Sequence, residues 1–244
     1  MALPKLMVPT YELTIPSSGQ TVQYRPFLVK EEKILLMATE GDDEKTMTRG
    51  LIQIVSNCVD NKLDVKKLKI YDLEYIFLQL RARSIGEESD LRYICQNTVK
   101  QKKTEKQCGA TIQAKISLID IDITKPDNHE PNVKLTESVG VVLKDPEIDL
   151  LDRYALSQIG HNIQEVFEVI VECVDYVYEG DKIYKEYTKD EMETFLGSLT
   201  QNQFKGIRLY FDTLPKLEHS FDLKCKKCGN ESKMTLTGLG DFFM

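Results

Sequence analysis

Cys225 and Cys228, in the string "KCKKCGN", follow a C-x-x-C-G pattern that can present two thiolates to one metal ion. A second Cys-Gly pair, Cys108 and Gly109, has Cys95 upstream of it at C-x12-C spacing. The two regions share a layout. A strand-like run enters a cysteine ("RYIC", "FDLKC"), a loop follows, and Cys-Gly opens a second strand-like run ("CGATIQAKI", "CGNESKMTL"). This is the order of the two hairpins of a zinc ribbon, in which each knuckle gives two thiolates to a tetrahedral ion. Glycine after the second cysteine tolerates the positive φ that turns backbone amides toward sulfur. The insertion "QNTVKQKKTEKQ" in the first knuckle is affordable, because loop closure costs only about 0.6 kcal/mol per doubling of length.

Three readings of these cysteines are open. In the first, Cys95, Cys108, Cys225 and Cys228 hold one structural zinc ion. In the second, Cys95 and Cys108 are unrelated thiols and only the C-terminal pair is close. The third is a redox dithiol, disfavoured because a thioredoxin-type C-x-x-C opens a helix, whereas "GNESKMTL" reads as a turn and a strand. The shared layout favours the first.

Lysines crowd both knuckles: Lys100, Lys102, Lys103 and Lys106 in the first, and Lys224, Lys226, Lys227 and Lys233 around the second. Four thiolates on Zn²⁺ leave a negative centre that nearby ammonium groups stabilise. The alternative is a zinc-ribbon regulator that grips nucleic acid through these lysines. Stacking aromatics are missing from both loops. A net charge of −7 and a pI near 5.2 also disfavour a polyanion-coating protein.

Other chemistry has no local signature. His129, His161 and His219 stand in no H-E-x-x-H pattern and read as surface or capping residues. There is no phosphate-binding Walker loop, no G-x-S-x-G elbow and no dinucleotide fingerprint. "EGDDE" and "LIDID" read as solvated loop and strand charge. The chain therefore reads as an interaction or assembly protein rather than an enzyme.

The elements that must position the cysteines alternate in type. Tyr11–Ile15 and Thr21–Phe27, joined by "PSSG", predict a hairpin. "FLVKEEKILLMATE" predicts a helix, and Met47, Leu51, Ile54, Val55 and Cys58 line one face of the next, making Cys58 a core thiol. Ile70, Leu73, Ile76, Phe77 and Leu80 stripe a third helix that Gly86 ends. Extended character runs from Asp90 to Ile121, "KPDNHEPN" is a loop, and "VGVVLK" is a short strand. After Pro146 the reading is helical. Ile163, Val166, Phe167, Ile170, Val171 and Val174 form one face with Cys173 on its flank. Met192, Phe195, Leu196 and Leu199 form another behind a Thr188 cap, and Phe204, Ile207, Phe211 and Leu214 continue the series.

The fold class read from this is α+β, a mainly helical core with an N-terminal β-hairpin and a discontinuous zinc-ribbon-like β module. The segments are 1–27 (hairpin), 28–87 (helical), 88–145 (β, with the first cysteine pair), 146–216 (helical) and 217–244 (the C-x-x-C hairpin, packing on 88–120). The terminal Phe242, Phe243 and Met244 are a costly apolar exposure unless packed or bound, and read as partner-binding residues.

At 244 residues the chain can bury a large core without staples. No apolar run reaches the roughly 20 residues needed to cross a bilayer. The N-terminus lacks a basic region followed by an apolar stretch, so it does not read as a signal peptide, and a cytoplasmic location with reduced thiols is expected.

The string "LPKLMVPTYELTIPSSGQTVQYRPFLVKEEKILLMATE", Leu3 to Glu40, resembles the opening of the baseplate hub protein family of T-even-type bacteriophages. The closing "CKKCGNESKMTLTGLGDFF" is similar to that family's C-terminal knuckle, strand and glycine-phenylalanine segment. The resemblance spans nearly the whole chain. It implies a non-enzymatic role in building the central hub of a contractile-tail baseplate, as assembly chaperone or hub subunit. It also implies other hub proteins as partners, oligomers within the hub assembly, and a place in the host cytoplasm during assembly or in the virion baseplate. It supplies no catalytic residue.

Overall fold

The computed structural model describes residues 6–40, 44–60, 63–101, 104–153 and 163–243. Strands β1 (Tyr11–Thr14) and β2 (Thr21–Tyr24) form the N-terminal hairpin, with Tyr11 opposite Tyr24 and Thr14 opposite Thr21. Leu13, Ile15, Val22 and Tyr24 alternate inward, as period-two patterning requires. They meet α2 (Glu44–Cys58) and α3 (Ile70–Ser84), which follow α1 (Val29–Thr39). Cys58 is buried there, and burial pushes its thiol up to about 11. It is a core thiol, as its place in the helical stripe predicts.

α3 is buried on more sides than its stripe suggests. Leu73, Ile76, Phe77 and Leu80 face the hairpin and α2, while Leu78 and Ala82 face a second core. That second core is built by β3 (Glu88–Ile94), β6 (Thr111–Ser117), β12 (Lys216–Lys224), β13 (Glu231–Thr237) and the short C-terminal α8 (Gly238–Phe243). β3 and β6 pair from Glu88–Ser117 to Ile94–Thr111, and β12 and β13 pair from Glu218–Thr237 to Lys224–Glu231. β7 (Ile123–Thr124) adds to β12.

The inserted polar run in the first knuckle is a hairpin rather than a loop. β4 (Thr98–Gln101) pairs with β5 (Thr104–Gln107), in a stretch whose threonines and Val99 suit extended backbone.

The stretch read as wholly helical beyond Pro146 also differs. α4 (Ile148–Arg153) and α5 (Ile163–Cys173) are helical, but Val174 leaves the helix to begin β10 (Val174–Glu179), which turns at Gly180 into β11 (Lys182–Tyr184). Alternating valine and tyrosine with a Gly-Asp turn carried that signal. β11 and β10 join β9 (Val139–Leu143) and β8 (Asn132–Lys134) in the order β11-β10-β9-β8. The inner face of this sheet packs with α5, α6 (Lys189–Gly197) and α7 (Gln201–Asp212) into a third core. Thr188 caps α6 as expected, accepting from the Glu191 amide while Glu191 reaches back to the Thr188 N–H. Among the described residues no helix is long and apolar enough to cross a membrane.

Candidate metal centre

Cys95 follows the last residue of β3, Cys108 precedes β6, and Cys225 follows β12. Cys228 closes the turn to β13. The strands therefore bring together four residues that span 95 to 228 in the chain. Four sulfurs held about 2.3 Å from a tetrahedral zinc stand about 3.8 Å from one another. Here Cys95 Sγ and Cys228 Sγ are 3.6 Å apart, Cys108 Sγ and Cys225 Sγ are 3.8 Å apart, and all four lie within 4.8 Å of one another. Val99, Ala110 and Ile112 pack around them.

The two knuckles are closed by the same backbone bonds despite their unequal length. The N–H of the first cysteine donates to the carbonyl two residues past the second, Cys95 to Ala110 at 2.8 Å and Cys225 to Asn230 at 2.9 Å. The glycine after the second cysteine donates back to the first, Gly109 to Cys95 at 3.1 Å and Gly229 to Cys225 at 2.8 Å. Gly109 and Gly229 have φ of 64° and 71°, the left-handed conformation that glycine adopts without strain. The insertion is thus carried outside the knuckle, on the β4–β5 hairpin.

Donors converge on the sulfurs as they do where thiolate charge must be stabilised. The backbone N–H groups of Asn97, Ala110 and Asn230 bond to Cys95, Cys108 and Cys228, and the Asn97 side chain adds a donor 3.6 Å from Cys228 Sγ. The Asn230 amide and then Asn97 hold the Cys228 thiol down to about 6. At Cys95 the Asn97 amide pulls downward, but burial and the neighbouring sulfurs win and push it up to about 12. Ionising all four sulfurs together requires a cation between them. The residue types, spacing and donors fit a structural Cys₄ zinc site, with Cys95, Cys108, Cys225 and Cys228 as the ligands.

The sequence matches the T4 bacteriophage base plate protein family over residues 8–244. The chain belongs to that family. No curated protein and no solved structure gives a significant match.

In this base plate protein the knuckle lysines are partly committed. Lys227 Nζ donates to the Cys108 carbonyl at 3.1 Å, tying one knuckle to the other, and Lys224 pairs with Glu231 at 2.7 Å. Lys102 and Lys103 lie outside the described residues, as does His161.

Of the three terminal residues read as partner-binding, Phe242 is instead packed within the chain. α8 turns Phe242 inward, where it is 1 % exposed among Leu78, Ile121, Leu217 and Leu236. Phe242 closes the second core, where an apolar surface of the same chain covers it. The side chain of Phe243 and all of Met244 lie outside the described residues.

His129 is also not where its loop composition places it. It is 9 % exposed and stacks on Tyr210 with ring centroids 4.7 Å apart. Nδ1 lies 3.2 Å from Thr213 Oγ1 and Nε2 lies 3.2 Å from Asp145 Oδ1. A carboxylate only accepts, so Nε2 carries its proton. Tyr71 and Tyr210 both donate to the same Asp145 carboxylate, and Lys69 Nζ donates to the Asp145 carbonyl at 3.1 Å. Burial and then the adjacent carboxylate raise the Tyr71 hydroxyl above its usual value.

No local sequence pattern points to this node, since its members come from α3, the 128–131 loop, the segment after β9, and the end of α7. The Thr213–His129–Asp145 order looks like a nucleophile chain. However, the threonine is 8 % exposed and its hydroxyl bonds to the Leu209 and Tyr210 carbonyls at 2.8 and 3.0 Å. The Thr213 hydroxyl is therefore committed within the fold.

Proposed function

We propose that this base plate protein serves, without enzymatic activity, in assembly of the central hub of a contractile-tail baseplate, binding other hub proteins as an assembly chaperone or a hub subunit. The observation that carries this reading is family membership over residues 8–244. The opening Leu3–Glu40 string and the closing knuckle segment support the hub in particular. The chain acts in the host cytoplasm during assembly or within the baseplate of the virion.

Zinc at Cys95, Cys108, Cys225 and Cys228 has a structural part in this proposal. It clamps the middle of the chain to its end so that the two ribbon hairpins present one rigid body. The nucleic-acid alternative loses ground, because Lys227 and Lys224 are engaged within the ribbon.

The test is disruption of the gene in the phage, with baseplates and tails examined by electron microscopy. Tails lacking hubs, together with co-purification of the tagged protein with hub components, are expected. Normal tails in normal numbers overturn the proposal.

A further inference from the structure

A cleft of about 440 Å³ opens over the Asp145 node, walled by the β1–β2 turn, the start of α3, the loops flanking β7 and β9, and α7. Lys69, Lys125 and Lys144 line it, and Asp145 is its one carboxylate. Asp145 is turned toward the protein: Tyr210 and His129 bond to Oδ1 and Tyr71 to Oδ2. Lys69 is bonded to the Asp145 carbonyl and to Glu147. The exposed Lys125 and Lys144 have no carboxylate partner for their ammonium groups among the described residues. Counting Glu147 beside Lys69, three lysines stand against two carboxylates, so the cleft is net positive by one charge on a chain whose net charge is −7. A concave site of one sign, walled by low-dielectric protein, concentrates ligands of the other sign. Pro16, Pro131 and Pro215 lie in its walls, stiffening the entrance at the cost of backbone donors.

We propose that this cleft binds a carboxylate-bearing segment of a partner protein, with Lys125 and Lys144 pairing acidic side chains and the Asp145 node fixing the cleft's shape. The chain as a whole is acidic, with a net charge of −7, so attraction for such a segment is local to the cleft, and the placement of its lysines sets register. The choice of a protein segment rests on the reading of the chain as an assembly component. The location of the site rests on the cleft alone.

The test is binding of a short polyglutamate peptide to the full chain, by calorimetry at low and at high salt. Binding is expected at low salt, weakening as salt screens it. A Lys125→Glu, Lys144→Glu variant is expected to bind roughly tenfold more weakly or worse, as opposed charge at two contacts predicts. Lys182→Glu with Lys185→Glu, exposed residues on and just after β11 that do not line the cleft, serves as the control and is expected to bind as the parent does.

No binding, or an equal loss in both variants, overturns the proposal. So does displacement of the peptide by an equal concentration of inorganic phosphate, which would make the cleft a small-anion site. These outcomes leave the hub reading standing. Normal tails after gene disruption would remove the hub reading and leave measured peptide binding intact.

Discussion

Cys95 and Cys228 are 133 positions apart in the chain, and their sulfurs are 3.6 Å apart in space. The other close pair, Cys108 and Cys225, is likewise drawn from different hairpins. An ion among the four sulfurs therefore crosslinks the hairpins to each other as well as closing each knuckle. Loop closure between such distant positions is entropically expensive without the cores that precede it. The second core, with Leu91, Ile116, Leu217 and Leu236, stacks the two strand pairs and so delivers the sulfurs to one another.

Purified protein is expected to contain one zinc per chain by elemental analysis, and Cys225→Ser with Cys228→Ser none. Structural zinc contributes on the order of 10 kcal/mol in small zinc domains. The variant should lose the ribbon strands at lower temperature than the parent does, while far-UV dichroism retains the helical signal of α2, α3 and α5–α7. A metal-free parent, or a variant that melts with the parent, would remove the clamp.

The ribbon was legible in the sequence because each half carries its own signature, a strand-like run into a cysteine and a Cys-Gly pair that opens the next strand. Cys, Gly and the flanking alternation all lie within a few residues of one another, and local chemistry fixes the knuckle. The α2 and α3 stripes and the Thr188 cap were legible from local pattern in the same way. β10 and β11 were missed because "VIVECVDYVYEG" continues the apolar face of α5 before its alternation begins, so a helical period absorbed the first strand residue. The Asp145 node had no signal at all. Its members are Tyr71, His129, Asp145, Tyr210 and Thr213, each ordinary in its own segment and joined only by the packing of α7 and α3 around the β9 end. Phe242 was misplaced for a related reason: composition shows an apolar terminus but not the surface that covers it.

Gly109→Ala and Gly229→Ala are each expected to destabilise by about 1–2 kcal/mol, the cost of holding an L-residue in the left-handed region. At Gly229 nothing lies within 4 Å of the added Cβ, so the cost there is conformational rather than steric. Gly197→Ala, also in open space but without positive φ, is the control and should be neutral or stabilising. Denaturant midpoints of the zinc-loaded variants decide this, and equal behaviour of all three would exclude backbone strain at the knuckles.

At the node, Asp145→Ala strands two tyrosine hydroxyls and the His129 N–H in a mostly buried setting, and a loss of about 2–4 kcal/mol is expected. Tyr71→Phe removes one donor and leaves the carboxylate bonded by the others, so about 1 kcal/mol is expected. The double variant should lose less than the sum of the two, because the Tyr71 bond can be lost only once. Strict additivity in urea denaturation would show that the contact carries no energy.

Glu74 gives the protein a pH dependence of definite sign. It lies on α3 in a groove of about 230 Å³ with Pro146, Phe211 and Leu214, where Tyr71 and Lys216 are the other titratable groups. Burial pushes its carboxyl up to about 7, against the pull of the Leu239 backbone N–H. Its folded value therefore exceeds its unfolded value, and the native state holds more protons than the unfolded chain between the two. Stability from this group is present below the unfolded value and falls as pH rises toward 7. At 1.36 kcal/mol per unit, the whole excursion amounts to at most about 3 kcal/mol. Glu74→Gln keeps the shape and removes the charge, so it should flatten this fall and be more stable than the parent above neutrality, with little difference in mild acid. Urea denaturation of both proteins on either side of pH 7 checks the sign. A parent that gains stability relative to Glu74→Gln as pH rises would show that the Glu74 carboxylate is satisfied in the folded chain.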